Sequence, residues 1–204
     1  MTDWYRNTRW SPEIQAAFEA KLSRSRTQKA QYLRIQGAML KETHPAIAVR
    51  LLDRCIEIGD QFFVAPALLD RAQAYLNLHN LGLALDSLEA AMEQEAREPK
   101  VRTSAAFDFA MLVIMHDQAD RFDKALACVE DAIALMPVME FQREAARAII
   151  LHARGCTDEA RASAERALLA EARTDGGIPS FPDVGTVPNR SNPLSVRIRA
   201  LLSA

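Results

Sequence analysis

Residues 70–92 read DRAQAYLNLHNLGLALDSLEAAM, and this stretch decides the fold. Its small and apolar residues fall into two groups, separated by a polar turn around His79 and Asn80. The second group recurs at spacings of four and three, which places its members on one helix face: Ala84, Leu88 and Ala91. The first group lies before the turn and contains Ala72 and Tyr75. The pattern therefore predicts two antiparallel helices joined by a short turn.

The same pattern recurs along the chain. The alanine of the second helix returns at steps of 36, 41 and 35 residues, as Ala48, Ala84, Ala125 and Ala160. The longer step contains residues 99–105, PKVRTSA, for which we expect an extended loop. In the third copy we expect Pro137 to close the second helix. The recurrence predicts four helical hairpins, at residues 29–62, 65–98, 106–139 and 141–174.

This unit resembles the tetratricopeptide repeat (TPR), a helix–turn–helix unit of about 34 residues. The match is best in residues 65–98, where small, aromatic and large apolar residues stand where the family has them: Ala72, Tyr75, Ala84, Leu88 and Ala91. The chain departs from the family at Gln36, Val113 and His116. The resemblance implies an all-α, right-handed α-solenoid of about four TPR-like hairpins, of the bacterial stand-alone kind. A helical bundle is the alternative.

Both ends of the chain differ from the repeat. Residues 1–28 contain an aromatic and basic segment, followed by a helix start at Ser11, Pro12 and Glu13. We expect that helix to cover about residues 12–26, with one apolar stripe: Ile14, Ala17, Phe18 and Leu22. Residues 175–204 contain a Gly/Pro-rich segment and then a short helix from Asn192–Pro193, bearing Leu194, Ile198, Leu201 and Leu202. Both terminal helices are suited to capping the open ends of a repeat array.

The segment WYRNTRW at residues 4–10 holds both tryptophans of the chain. Three interpretations are open: a cap on the first helices, a partner-docking site, or a surface on which nucleic-acid bases stack. We expect the rings to fold against the first two helices while the two basic residues face outward. The residues concerned are Trp4, Tyr5, Arg6, Arg9 and Trp10.

The composition describes an ordinary soluble chain of 204 residues with a net charge of −2. Bulk nucleic-acid binding usually needs a strongly basic domain, so the charge argues against it. Without an apolar run of about 20 residues, we expect no membrane span. The polar start predicts no secretory signal. Three widely spaced cysteines suit a reducing compartment, so we expect a cytoplasmic protein.

The sequence predicts no catalytic residue, metal site or cofactor. It contains no phosphate-binding loop, dinucleotide glycine fingerprint, HExxH or G-x-S-x-G motif. No two of the four histidines stand at i and i+4, which argues against a metal site on one helix. A thiolate pair of Cys128 with His116 or His152 is conceivable, but a cysteine on an alanine-rich helix is more typical of core packing. We therefore expect the protein not to be an enzyme.

In the TPR family, the first helix of each hairpin lines a concave groove that binds partners. Carried onto this chain, the resemblance implies a partner-binding set of ten residues: Leu33, Gly37, Lys41, Leu69, Gln73, Leu76, Asn77, Ile114, Asp117 and Gln118. Such an apolar wall with amide groups suits an extended peptide or a helix. The Gly/Pro-rich segment could itself occupy the groove, through Ile178, Phe181 and Val184.

These features predict a non-enzymatic protein–protein interaction module, an adaptor or scaffold. The partner would be a protein or peptide, bound through the groove or the N-terminal surface. Three alternatives stay open: an immunity or secretion-chaperone protein that blocks or holds a cognate toxin or effector, RNA or nucleotide binding by the basic aromatic N-terminus, and a homodimer.

Overall fold

The computed structural model describes residues 3–188 and 192–203. Within these ranges the chain forms ten α-helices, one 3-10 turn at Ala119–Arg121 and no β-strand. The helices are α1 (Pro12–Arg24), α2 (Lys29–Leu40), α3 (Pro45–Ile58), α4 (Val64–Asn77), α5 (Leu81–Arg97), α6 (Ala105–Met115), α7 (Phe122–Asp131), α8 (Pro137–Ala153), α9 (Thr157–Ala172) and α10 (Pro193–Ser203). The expected all-α class is confirmed.

The chain divides into two compact units, unit 1 (Met1–Ala105) and unit 2 (Ala106–Ala204). In unit 1, α2 packs against α3 and α4 against α5, and only short turns at residues 41–44 and 78–80 join the partners. Helices this close in sequence that pack against each other form hairpins. The turn predicted around His79 and Asn80 is confirmed, and the Asn80 side chain caps α5 by accepting from the Leu83 amide.

The two hairpins of unit 1 also pack against each other. Helix α3 contacts α4, and α2 contacts α4, so the first helices of consecutive hairpins are neighbours. Small buried residues allow close packing within and between the hairpins, among them Ala48, Ala72, Ala84 and Ala91. Within the first hairpin the helices also approach closely at Gly37 of α2, where an added Cβ would lie 2.6 Å from Leu52 Cγ of α3. Gly37 is therefore a packing residue of the α2–α3 crossing.

Two glycine substitutions with opposite expected signs test this crossing. Gly37→Ala should lower the free energy of unfolding by about 1–2 kcal/mol, because overpacking against the buried Leu52 outweighs the better helix propensity of alanine. Gly82→Ala should raise it by about 0.5 kcal/mol, since its Cβ would meet only Asn80 Oδ1 at 3.8 Å. Urea denaturation measures both. Equal effects of the two substitutions would contradict the close approach at Gly37.

In unit 2, α8 packs extensively against α9. Gly155 supplies the left-handed backbone of their turn, with φ 79°. Helix α7 packs on α8, and the C-terminal helix α10 packs on both α8 and α9. Its Ile198 is fully buried, and the buried carboxylate of Glu171 accepts from Ser195 and pairs with Arg199. Helix α10 is thus held by the burial of Ile198 and by the polar contacts of Ser195 and Arg199 with Glu171.

Several sequence expectations were wrong in detail. Pro137 begins α8 and does not close α7, which ends earlier at Asp131. A proline suits the first turn of a helix, where its missing N–H would have no partner in any case. The expected N-terminal helix ends at Arg24, and Ala17 of its predicted apolar stripe is exposed. Ser11 caps this helix as predicted, accepting from the Ile14 amide.

Across the described ranges, no helix combines the length and the apolar character that crossing a membrane requires.

Candidate functional site

A buried carboxylate on α4 joins this helix to α2. The Asp70 side chain is only 6% exposed, and its oxygens accept from Arg34 Nε at 2.9 Å and from Lys41 Nζ at 2.7 Å. The two cationic side chains are 34% and 27% exposed, so both reach the surface. One carboxylate shared by two cations leaves this cluster with a net positive charge.

Asn77 makes a second connection between the same helices. Its Nδ2 donates to the backbone carbonyl of Lys41 at 2.8 Å, at the C-terminal end of α2. The last carbonyls of a helix have no partner within it, so this bond satisfies one of them. Asn77 therefore has a structural role.

Gln73 lies at the centre of the exposed surface that α2 and α4 form together. Leu69 and Leu76, both half-buried, flank it on α4 at i−4 and i+3. The Gln73 side-chain amide has no hydrogen-bond partner within residues 3–188 and 192–203. We call this surface the α2–α4 face, made of Arg34, Lys41, Leu69, Asp70, Gln73, Leu76 and Asn77.

Five of the ten expected partner-binding residues thus share one face of unit 1. Leu33 and Gly37 of the same set are buried in the core of that unit, and so do not reach its surface. Sequence reasoning missed Arg34 and Asp70. A signal was available, because Asp70 ends the apolar run VAPALL of α4, where a charged residue needs a partner once the helix is buried.

The three expected residues of unit 2 are packing and helix-end residues. Ile114 is fully buried. Arg197 of α10 donates to the Ile114 carbonyl at 2.6 Å and pairs with Asp117 at 2.8 Å. A positive charge is favourable at the C-terminal end of a helix such as α6. Gln118 donates to the carbonyl of His116. The two contacts of Arg197 hold α10 to the end of α6.

The aromatic residues of the N-terminal segment pack on unit 1. The Trp4 ring lies 5.4 Å from Phe18 of α1 and 4.8 Å from Tyr32 of α2, between ring centroids. Tyr5 also contacts Tyr32, and Trp10 contacts Phe18. Arg6 and Arg9 are exposed. The rings therefore cover the first two helices.

Gln36 of α2 binds the N-terminal segment through Asn7. Its side chain is fully buried and makes three hydrogen bonds with Asn7. Its Oε1 accepts from the Asn7 backbone amide at 3.1 Å and from Asn7 Nδ2 at 2.9 Å, and its Nε2 donates to the Asn7 carbonyl at 2.7 Å. The departure from the small residue of the TPR pattern thus has a physical reason, since Gln36 is the attachment point of the N-terminal segment.

Among the described residues of the Gly/Pro-rich segment, none of the three apolar side chains expected to fill a groove is fully buried. Phe181 and Val184 are exposed, and Ile178 is half-buried. The segment folds on itself, with the Gly176 amide donating to the Pro182 carbonyl at 2.7 Å. It is also fixed to the start of α8, where the Val138 amide donates to the Gly185 carbonyl at 2.8 Å. The part of this stretch at residues 189–191 lies outside the described residues.

The described residues contain no group of three or more His, Cys, Asp or Glu side chains placed to hold a metal ion. Cys55 is buried on α3, and its Sγ donates to the Ala30 carbonyl at 3.3 Å. Burial raises the pKa of this thiol to about 12. Cys55 is therefore an inert packing residue at neutral pH.

This shift predicts a loss of stability in alkali. The unfolded chain deprotonates Cys55 above its ordinary pKa of 9.0, whereas the folded protein keeps the proton up to about pH 12. Rising pH in this window therefore favours unfolding, by at most about 1.4 kcal/mol per pH unit. Urea denaturation from pH 8 to 11 should show a shallower decline for Cys55→Ala than for the parent. The exposed Cys156, replaced by alanine, is the control. An unchanged slope in Cys55→Ala would contradict the shift.

Comparisons of the chain with family models, with curated proteins and with solved structures find no match. The α2–α4 face is therefore interpreted from its own geometry.

Proposed function

We propose that the protein is a non-enzymatic interaction module that binds an extended segment of a partner protein on the α2–α4 face. The observation that carries the proposal is the exposed amide of Gln73 between Leu69 and Leu76, which has no hydrogen-bond partner among the residues that the structure describes. An amide can donate to and accept from the same backbone peptide group. The widely spaced cysteines support placing this activity in the cytoplasm.

The packing of unit 1 supports an α-solenoid that presents this face. In TPR-like arrays the first helices of consecutive hairpins lie side by side, and α2 and α4 have that relation. Their outward residues then form one continuous wall. The N-terminal segment and α1 cover the first hairpin, as a terminal cap of an array would.

The face combines three kinds of contact. Gln73 pairs with the partner's backbone, and Leu69 and Leu76 offer apolar surface to its side chains. Arg34 and Lys41 share the single carboxylate of Asp70, so the residual positive charge favours a partner segment with an acidic side chain. Because Asp70 and Asn77 already join the helices, the wall is rigid before the partner binds, which lowers the entropy cost of binding.

Affinity capture from the native host, read by mass spectrometry, tests this proposal. The parent chain and the matched control Gln15→Arg, an exposed glutamine of α1, should enrich the same protein. Gln73→Arg should reduce that enrichment about tenfold or more, because a longer charged side chain blocks the face and loses the amide pair. Equal enrichment by all three proteins would exclude the α2–α4 face as the binding surface.

A further inference from the structure

Unit 2 exposes a group of large apolar side chains near the start of α8 and the end of α9. Their exposed fractions lie between 47% and 76%. We call this group the unit 2 patch: Ile133, Leu135, Leu169, Phe181 and Val184. Exposed apolar side chains that share one region of a surface typically mark an interaction site.

Backbone contacts bring the members of the patch together. Gly185 approaches Met136 so closely that an added Cβ would lie 2.6 Å from its sulfur, so the segment with Val184 lies against the start of α8, which directly follows Leu135. Gly176 packs against the Val184 carbonyl, so the segment after α9 folds back on itself there. Arg173 near the end of α9 pairs with Glu140 of α8 at 2.9 Å. This pair joins the two helices beside the segment.

Arg143 positions the first part of the patch. This side chain of α8 donates to the carbonyls of Val129 at 3.0 Å and of Ala132, at the end of α7. A cation there satisfies carbonyls that lack a helical partner. These bonds fix the end of α7 to α8. The residues that follow α7 include Ile133 and Leu135, whose side chains are exposed.

A positively charged cleft of about 320 Å³ runs between α8 and α9 at the patch. Leu169 lies in its lining, between Arg166 one turn before it on α9 and Arg173 directly after the end of that helix. The lining contains three arginines and two glutamates. Both glutamates are paired, since Glu144 binds Arg166 at 2.9 Å and Glu140 binds Arg173. The lining therefore has one more positive than negative charge, beside the apolar surface of Leu169.

We propose that the unit 2 patch docks an acidic amphipathic helix of a partner protein. The partner's apolar stripe covers Leu135, Leu169 and their neighbours, and its Asp or Glu side chains meet Arg166 and Arg173, each about half exposed. An amphipathic helix has this composition when acidic residues flank its apolar stripe. A basic helix would be repelled by the arginines.

Two other occupants fit the surface less well. A two-fold dimer through the patch would bring the same arginines of two copies together, which is unfavourable. An anionic membrane would suit the arginines, but the cleft is concave, which suits a partner side chain better than a lipid surface. The proposal is independent of the α2–α4 face, which belongs to the other unit.

Selection of random displayed peptides on the intact protein tests the proposal. Selected peptides are then measured by fluorescence anisotropy against the parent and against the double variant Leu135→Asp, Leu169→Asp. Leu83→Asp is the matched control, an exposed leucine of α5. Far-UV circular dichroism checks that the double variant keeps its helices. Binding to anionic phospholipid vesicles tests the membrane alternative, and sedimentation of the protein alone tests the dimer.

We expect selected peptides with apolar residues at helical spacing and a net negative charge. The double variant should weaken their binding by about tenfold or more, and Leu83→Asp and Gln73→Arg should leave it unchanged. Binding should also weaken with added salt. Patch-dependent peptides that are neutral or basic, or the absence of any patch-dependent peptide, would overturn the proposal. Vesicle binding that the double variant abolishes would also overturn it, and so would a dimer that this variant abolishes.

Discussion

Replacing Gln36 by alanine should lower the free energy of unfolding by about 3 kcal/mol. The substitution removes three hydrogen bonds and leaves the Asn7 backbone amide and carbonyl without the partner they have in the folded protein. It also leaves a cavity at a fully buried position. Both tryptophans of the chain lie in the segment that Gln36 holds, so their fluorescence emission should shift to longer wavelength as the segment detaches.

Gln73→Ala is the matched control for this prediction, since it removes an exposed glutamine. It should change the free energy of unfolding by less than about 0.5 kcal/mol and leave the emission unchanged. Urea denaturation followed by tryptophan fluorescence and by far-UV circular dichroism measures both variants. If Gln36→Ala matched Gln73→Ala in stability and emission, the N-terminal segment would not be fixed through Gln36.

The second large effect is expected for Asp70→Ala, which should lower the free energy of unfolding by about 2 kcal/mol. Removing one partner of a buried ion pair is costly because the other partner keeps its charge. Here the two cations are about one-third exposed and regain part of their hydration, which makes the loss smaller than for a fully buried pair. The contact between α2 and α4 should loosen, so hydrogen exchange in both helices should become faster.

Asp53→Ala provides the comparison. Asp53 also pairs with an arginine, Arg71 at 2.8 Å, but its side chain is 40% exposed. The Asp53 carboxylate is partly hydrated, and Arg71 keeps its hydrogen bond to Ser87 Oγ at 3.2 Å, so this variant should stay closer to the parent than Asp70→Ala does. A loss at Asp53 as large as that at Asp70 would show that Asp70 has no special role in joining the helices.

The local pattern of the sequence predicted much of the fold of unit 1. Helical spacing in residues 70–92 indicates two helices, and Asn80 has the side chain that starts the second one. The Ser11–Pro12 start of α1 was predictable for the same reason. These features depend on residues within a few positions of one another, so they can be inferred before any tertiary contact is known.

The contacts that form the candidate site depend on how the hairpins pack. Asp70 meets Lys41 across 29 residues and Arg34 across 36, and Asn7 meets Gln36 across 29. No spacing rule relates such positions. The family register therefore placed Gly37 and Leu33 on a partner-binding wall, although the packing buries both of them. Pro137 was misplaced because a proline after a helix and a proline that starts the next one look alike in sequence.

The central claim is that a partner protein binds on the α2–α4 face at Gln73. The most direct test places a photo-reactive phenylalanine analogue at position 73, and in a second protein at the exposed position 86 of α5. After irradiation in cells of the native host, we expect a covalent complex with one partner protein from position 73 and none from position 86. A complex from position 86 alone, or from neither position, would contradict the account.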